Sequence, residues 1–258
     1  LMARLNYGFK NRYLFTFTVR RDGSSVFAAN NKYAAFPSAA FAWVISDESF
    51  VANSKIIDFL KLRVSHGVSG NQAIAAYQSL SFSGLTRYVF GDGGTTSIGL
   101  YSANMGNPNL KWETTTSTNI GLDFELFRGR LNGTVEAYYM DTDDLLVRRS
   151  LPITSGYTSV ITNIGATNNK GIELSLNTIN IRSKRFEWST NVVFSRNINK
   201  IVHLYRSDIN GDGREDDDLG NRWFIGKPIN VGYDYVWDGI YQDGDAIPAG
   251  KKPGDVRL

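Results

Sequence analysis

Apolar and polar residues alternate with period two along most of this chain. In GLDFELFRGRLNGTVEAYYM (121–140), Leu122, Phe124 and Leu126 alternate with Asp123 and Glu125. After Arg128-Gly129-Arg130, Leu131, Val135, Ala137 and Tyr139 share one face, and Asn132, Thr134, Glu136 and Tyr138 the other. Because successive side chains of a strand point to opposite sides, this pattern predicts strands rather than helices. It recurs over 1–9, 13–22, 32–45, 58–69, 113–127, 131–141, 169–181 and 185–199. Pro37, lacking an amide donor, predicts a bulge or a break in pairing within its strand. SDESFVANSKII (46–57) reads as a short helix, and GKPINVGYDYVWDGIYQDGD (226–245) offers one further strand.

Two surroundings fit such strands: water on the charged side with a core on the other, or lipid on the apolar side with a wet lumen on the charged side. Length favours the second. Soluble strands run roughly 5–6 residues, and a tilted strand crossing a bilayer needs roughly 9–11. The runs here occupy 9 to 15 positions. The connections agree. Lys10-Asn11-Arg12, Arg128-Gly129-Arg130 and Arg182-Ser183-Lys184 are short basic turns, whereas 23–31, 142–168 and 200–220 are longer and polar. Placing the short turns on one side makes every strand alternate consistently, provided 70–112 contains no crossing or two. Short turns on one side and long loops on the other characterise outer-membrane barrels. The expected fold is therefore all-β, an antiparallel transmembrane β-barrel, with a soluble β-sandwich as the alternative.

Open strand edges cannot persist in hydrocarbon, and eight clear strands with loops this long would make a top-heavy small barrel. Residues 1–258 are accordingly expected to be a single segment of a larger barrel, with signal peptide, any plug and the final strands outside it. Leu1 falls within an alternating strand, with no charged n-region or cleavage site before it. No run approaches the ~18 apolar residues of a spanning helix.

Composition narrows the chemistry. The 258 residues include no cysteine, which removes disulfides, thiolate metal sites and thiol nucleophiles. A net charge of +3 with no aromatic-interleaved basic cluster gives no reason to expect nucleic-acid binding. His66 and His203 stand on separate segments without a serine–acid partner motif, and no GxSxG elbow occurs, so no enzyme is expected. GDGG (91–94) lacks the spacing and Lys-Ser/Thr of a phosphate loop.

One stretch resembles a cation site. DINGDGREDDD (208–218) carries six acids against one arginine, and Asp208, Asn210 and Asp212 with Gly213 match the D-x-N-x-D-G opening of a calcium loop. Leu219 occupies the twelfth position, where a bidentate Glu belongs, leaving Asp216 or its neighbours Asp217 and Asp218 to substitute. Asp208, Asn210, Asp212 and Asp216 are thus the candidate Ca2+ ligands, against the alternative of a solvated acidic loop tip. Tyr77, Tyr88, Phe90, Tyr101, Tyr157, Trp223, Tyr233, Tyr235 and Trp237 crowd the long-loop side, as interfacial anchors or as rings that stack on cargo. Arg4, Arg20, Asp123, Glu125, Glu136, Glu173 and Glu187 would line a mixed-charge lumen, none of them assignable to a substrate.

Several stretches, taken in order, resemble the barrel of SusC/RagA-type TonB-dependent outer-membrane transporters. They are RLNYGFKNRYLFTFTVRRDGSSVFAANNKYAAFPSAAFAWVISDESF, LKLRVSHGVSGNQ, NPNLKWETTTSTNIGLDFELFRGRLNGTVEAYY, NKGIELSL, NVVFSRNINKI and GKPINVGYDYVWDGIYQ. His66 departs from the aromatic often found at its position. The resemblance implies a barrel of about 22 strands with an N-terminal plug. It also implies TonB-driven import of oligosaccharides or peptides across the cell outer membrane, beneath a SusD-like surface lipoprotein lid. A passive porin or structural barrel, which would carry no plug, and a soluble carbohydrate-binding sandwich are the competing functions.

Overall fold

Eight long strands hydrogen-bond side by side in a single antiparallel sheet, and two short hairpins stand apart from it. The computed structural model describes residues 1–89, 91 and 94–257. In chain order the strands are β1 (Met2–Phe9), β2 (Tyr13–Gly23), β3 (Tyr33–Val44), β4 (Ile57–Asn71), β5 (Phe82–Val89) and β6 (Thr96–Asn104). They continue with β7 (Glu113–Leu126), β8 (Leu131–Asp143), β9 (Leu146–Ser150), β10 (Ser159–Asn163), β11 (Ala166–Arg182) and β12 (Glu187–His203). The sheet order is β1-β2-β3-β4-β7-β8-β11-β12; β5–β6 and β9–β10 form their own pairs. The eight sheet strands match the eight periodic segments, and the described residues of 70–112 add no crossing.

Register carries the alternation across the whole sheet. Phe9, Tyr13, Trp43, Leu62, Leu122, Val135, Leu174 and Phe194 follow one another from strand to strand on one face. Arg63, Gly121, Glu136 and Glu173 do the same on the other. Such a row begins beside the tight turn at β1, at Phe9, yet lies well above the 183–186 turn by the time it reaches Phe194 on β12. That stagger is the geometry of tilted strands.

Among the described residues no second layer covers the apolar face. Leu5, Phe17, Ile172 and Phe194 are 64, 51, 54 and 52% exposed, which is incompatible with a sandwich, whose inner faces interdigitate. The buried core is small and sits at the long-loop end. Phe27, Phe36, Leu110 and Trp112 pack together there, with both Phe rings 5.4 Å from Trp112 between centroids. Pairing of β3 with β4 stops at Ser38–Gly67, one residue from Pro37, although β3 pairs with β2 in unbroken register through Pro37 itself. The proline therefore breaks pairing on one side only, without a bulge. Phe36 fills the gap, lying where a side chain on Gly70 would otherwise go.

The short turns are built as expected. Lys10 and Asn11 both have φ near +54°, as a type I′ hairpin requires. At 127–129 the Arg128 and Gly129 amides donate to Asp58 at 2.6 and 3.3 Å.

Three expectations are corrected. SDESFVANSKII forms a single 3₁₀ turn, Ile45–Asp47, followed by turns, because Ser54 and the backbone of Glu48 bond locally and no helical ladder builds. Residues 142–168 are not merely a polar connection but carry the β9–β10 hairpin. The segment 226–245 adds no strand to the sheet: its backbone meets β12 at the isolated Ile201–Ile225 bridge, where the Gly226 amide donates to Ile201 and the Lys227 carbonyl accepts from it, and the Tyr241 and Asp238 amides donate to Asp255 and Arg257. Phe90, part of the 91–94 glycine run and Leu258 lie outside the described residues.

Candidate functional site

The polar face is organised around Arg63. From β4 its guanidinium donates twice to Asp123 on β7, from Nε at 2.8 Å and Nη2 at 2.9 Å, and from Nη2 to Glu136 on β8 at 2.5 Å. Thr134 adds a 3.2 Å bond to Asp123. Reaching Glu136 means crossing β7, and Gly121 permits it: a Cβ there would stand 3.0 Å from Nη2. The fork geometry of guanidinium suits two carboxylates in a way a lysine ammonium does not. Glu173 stands directly opposite Glu136 with no ion pair of its own among the described residues. Elsewhere on this face Arg4 is bonded to Thr18, Arg20 to Asp22 and Glu187 to Arg182.

At the short-turn end the apolar face finishes in aromatics whose polar tips meet one acid. Tyr13 and Trp43 stack at 6.3 Å between centroids. Glu48 accepts from the Tyr13 hydroxyl at 2.5 Å, from Trp43 Nε1 at 3.1 Å and from Arg12 at 3.1 Å. These bonds, the Tyr13 one foremost, hold the Glu48 carboxyl below its usual range.

Above β12 the acidic loop folds on its own backbone. Asp208 accepts from the amides of Gly211, Asp212 and Gly213 at 2.7, 3.1 and 2.9 Å. Asn210 accepts from Asp212, Asp212 from Arg214, and Asp216 from Ile209. Among the described residues no three His, Asp or Glu side chains converge as a metal-holding group. Glu215 instead anchors the loop, taking the Leu204 and Arg206 amides at 2.6 Å and His203 Nδ1 at 3.0 Å. Burial would raise its carboxyl, but these donors together lower it. Tyr205 donates to Asp218 at 2.5 Å, and burial followed by that carboxylate pushes its hydroxyl up to about 12. Beside it, Leu145, Val147, Ile201, Leu204, Tyr205 and Trp223 line an apolar hollow of about 200 Å³.

The four calcium candidates are neighbours in one loop, bonded to amides. His66 lies on the apolar face with Nδ1 2.9 Å from the Thr118 hydroxyl, far along the fold from His203. Trp223 lines the hollow, and Tyr235 and Trp237 are exposed. Arg63 as a hub, Glu48 as a clamp and the Phe27–Trp112 core escaped sequence reasoning. The NPNLKW run carried the only signal for the last, since Leu110 and Trp112 are buried there and Asn107 donates to Ile161 at 3.0 Å.

The model of the family described as TonB dependent receptor-like, beta-barrel, matches residues 1–254. TonB-dependent receptor P3 of Formosa agariphila is 42% identical over 249 residues, 95% of this chain and 25% of that protein. TonB-dependent receptor SusC of Bacteroides thetaiotaomicron is 40% identical over 212 residues, 80% of this chain and 21% of that protein. Among solved structures, the RagAB peptide importer in its open-open state gives a TM-score of 0.79 at 31% identity, covering 93% of this chain and 25% of that one. The chain thus spans about a quarter of the length of the relatives it matches. These relatives are receptors and importers, not enzymes. Sheet, register and sequence agree: the chain belongs to the TonB-dependent receptor-like β-barrel family.

Proposed function

We propose that this chain forms part of the wall of an outer-membrane importer for large polar nutrients, oligosaccharides or peptides. The carrying observation is the separation of faces across all eight strands, with an apolar row running from Phe9 on β1 to Phe194 on β12 on one side and a polar wall holding the Arg63 ion pairs on the other. In hydrocarbon the apolar side meets acyl chains, and the free edges of β1 and β12 call for further strands from the rest of the protein to close the barrel. A plug domain outside residues 1–258, energised by TonB, and a SusD-like surface lipoprotein closing the mouth complete the reading. The similarity to the RagAB peptide importer supports peptides as cargo, and the similarity to SusC supports the same transporter class.

The test is uptake of a labelled oligopeptide and a labelled oligosaccharide by cells carrying the full-length protein, with and without TonB. Import that vanishes when TonB is deleted supports the proposal. Entry that continues unchanged without TonB would identify a diffusion channel and overturn it.

A further inference from the structure

The apolar face changes character at the long-loop end of its last two strands. Upward along β12, the residues on that face are Trp188, Thr190, Val192 and Phe194, then Arg196, Ile198 and Lys200. On β11 the series Leu176, Leu174, Ile172 ends in Lys170. Arg196 stands opposite Ile172, Lys170 opposite Ile198, and Lys200 opposite Asn168. Lys170 is therefore the diagonal neighbour of both Arg196 and Lys200, a separation of roughly 7–8 Å between backbones. Three cations share one exposed patch, and among the described residues none of the three enters an ion pair or a side-chain hydrogen bond. The nearest acid on that face, Asp141, is diagonal to Lys170 and already accepts from Asn168 at 2.7 Å. Tyr139, beside Lys170, offers a hydroxyl at the same level.

Height explains why cations are tolerated here. Arg196 stands nine residues above Glu187, whose ion pair with Arg182 marks the short-turn end. At the usual strand rise and tilt that is about 24 Å of depth, against an apolar band about 25 Å tall. Arg196 thus reaches the rim of the band, and Lys170 and Lys200 lie at or beyond it. Long basic stems lie along apolar surface while their heads reach polar surroundings, and an anionic headgroup is the complementary partner at that depth.

We propose that Lys170, Arg196 and Lys200 bind the phosphate of a phosphorylated lipid headgroup in the outer leaflet. The guanidinium provides a two-pronged grip on phosphate, the ammoniums add point charge, and Ile172 and Ile198 between them receive the top of an acyl chain. The site rests on the outer-membrane reading above.

The test uses full-length receptor in detergent, with native mass spectrometry counting retained ligand after exposure to monophosphorylated lipid A, its dephosphorylated form, or inorganic phosphate. The wild type is expected to retain the phosphorylated lipid. Retention should fall at least tenfold in the Lys170→Gln/Arg196→Gln/Lys200→Gln variant and stay unchanged in Lys61→Gln, whose side chain faces the other way. If the triple variant fails to assemble, Arg196→Gln and Lys200→Gln alone are read, each expected to lose several-fold. Equal retention by wild type and variants overturns the site. So does equal retention of the dephosphorylated lipid, or full displacement by equimolar inorganic phosphate. A nitroxide at Ile172→Cys reads the face separately. Access to a water-soluble relaxant but not to oxygen in the acyl region would sink the membrane reading itself, whereas lipid access with unchanged retention sinks this site alone.

Discussion

The hydroxyl of Tyr13, on β2, donates to the carboxylate of Glu48, in the β3–β4 connection, at 2.5 Å. Trp43 and Arg12 converge on the same acid, so one ionised side chain ties the lower rims of two strands to the loop below them. Its carboxyl is held low in the fold, first by the Tyr13 bond. A lowered folded-state value means the contribution is present above the unfolded carboxyl range and disappears as pH falls through the folded one. The apparent melting temperature of the barrel, read by heat-modifiable gel mobility, should drop on acidification below about pH 4.5 more in the wild type than in Glu48→Gln. Parallel pH curves for the two would refute the clamp.

The face assignment predicts opposite tolerances at adjacent positions. Leu122 on β7 and Val192 on β12 stand near half-height on the apolar side. Arginine at either should cost about 2–4 kcal/mol, and arginine at Asn191, on the wet side, should change stability by under about 0.5 kcal/mol. Unfolding in urea from lipid vesicles measures all three, and similar costs would contradict the faces.

Arg63 bridges three strands only because Gly121 leaves room. Gly121→Val should push the guanidinium off Glu136 while sparing Asp123, and Arg63→Leu should lose both. These groups are part-exposed to water, so each loss is expected near 1 kcal/mol rather than the several of a dry pair. A double-mutant cycle between Gly121→Val and Glu136→Gln reads the coupling, and strict additivity would show that the bridge carries nothing.

At the opposite rim Gly70 gives its space to Phe36. Gly70→Ala should destabilise by about 1–3 kcal/mol through overpacking, and Phe36→Leu should return part of that loss when combined with it. A thermal scan showing Gly70→Ala neutral would mean that the split between β3 and β4 is slack.

The sheet was legible because its signal is local: each strand announces itself through its own alternation, and Glu113–Leu126 falls within a residue of the stretch read from period two. What joins the strands is not local. Arg63 meets residues 60 and 73 positions away, and nothing in LKLRVSH distinguishes it from Lys61 until β4, β7 and β8 are neighbours. SDESFVANSKII reads as a short helix, yet its Glu48 is taken up by Tyr13, Trp43 and Arg12 of the neighbouring strands and turn. The acidic loop reads two ways, for a different reason. The D-x-N-x-D-G spacing that brings oxygens round a cation also brings them onto amides, and Asp208 holds three.

Because each cross-strand row climbs as it passes from β1 to β12, the wall behaves as a screw thread rather than a stack of independent rings. Inserting or deleting two residues anywhere between turns keeps every side chain on its own face. It also slides all downstream strands by one step of the thread, roughly 5 Å in height. Length changes in this family's wall are therefore expected at the ends of strands, in the overhanging hairpins and loops, where a shift need not be transmitted to the next turn of the thread.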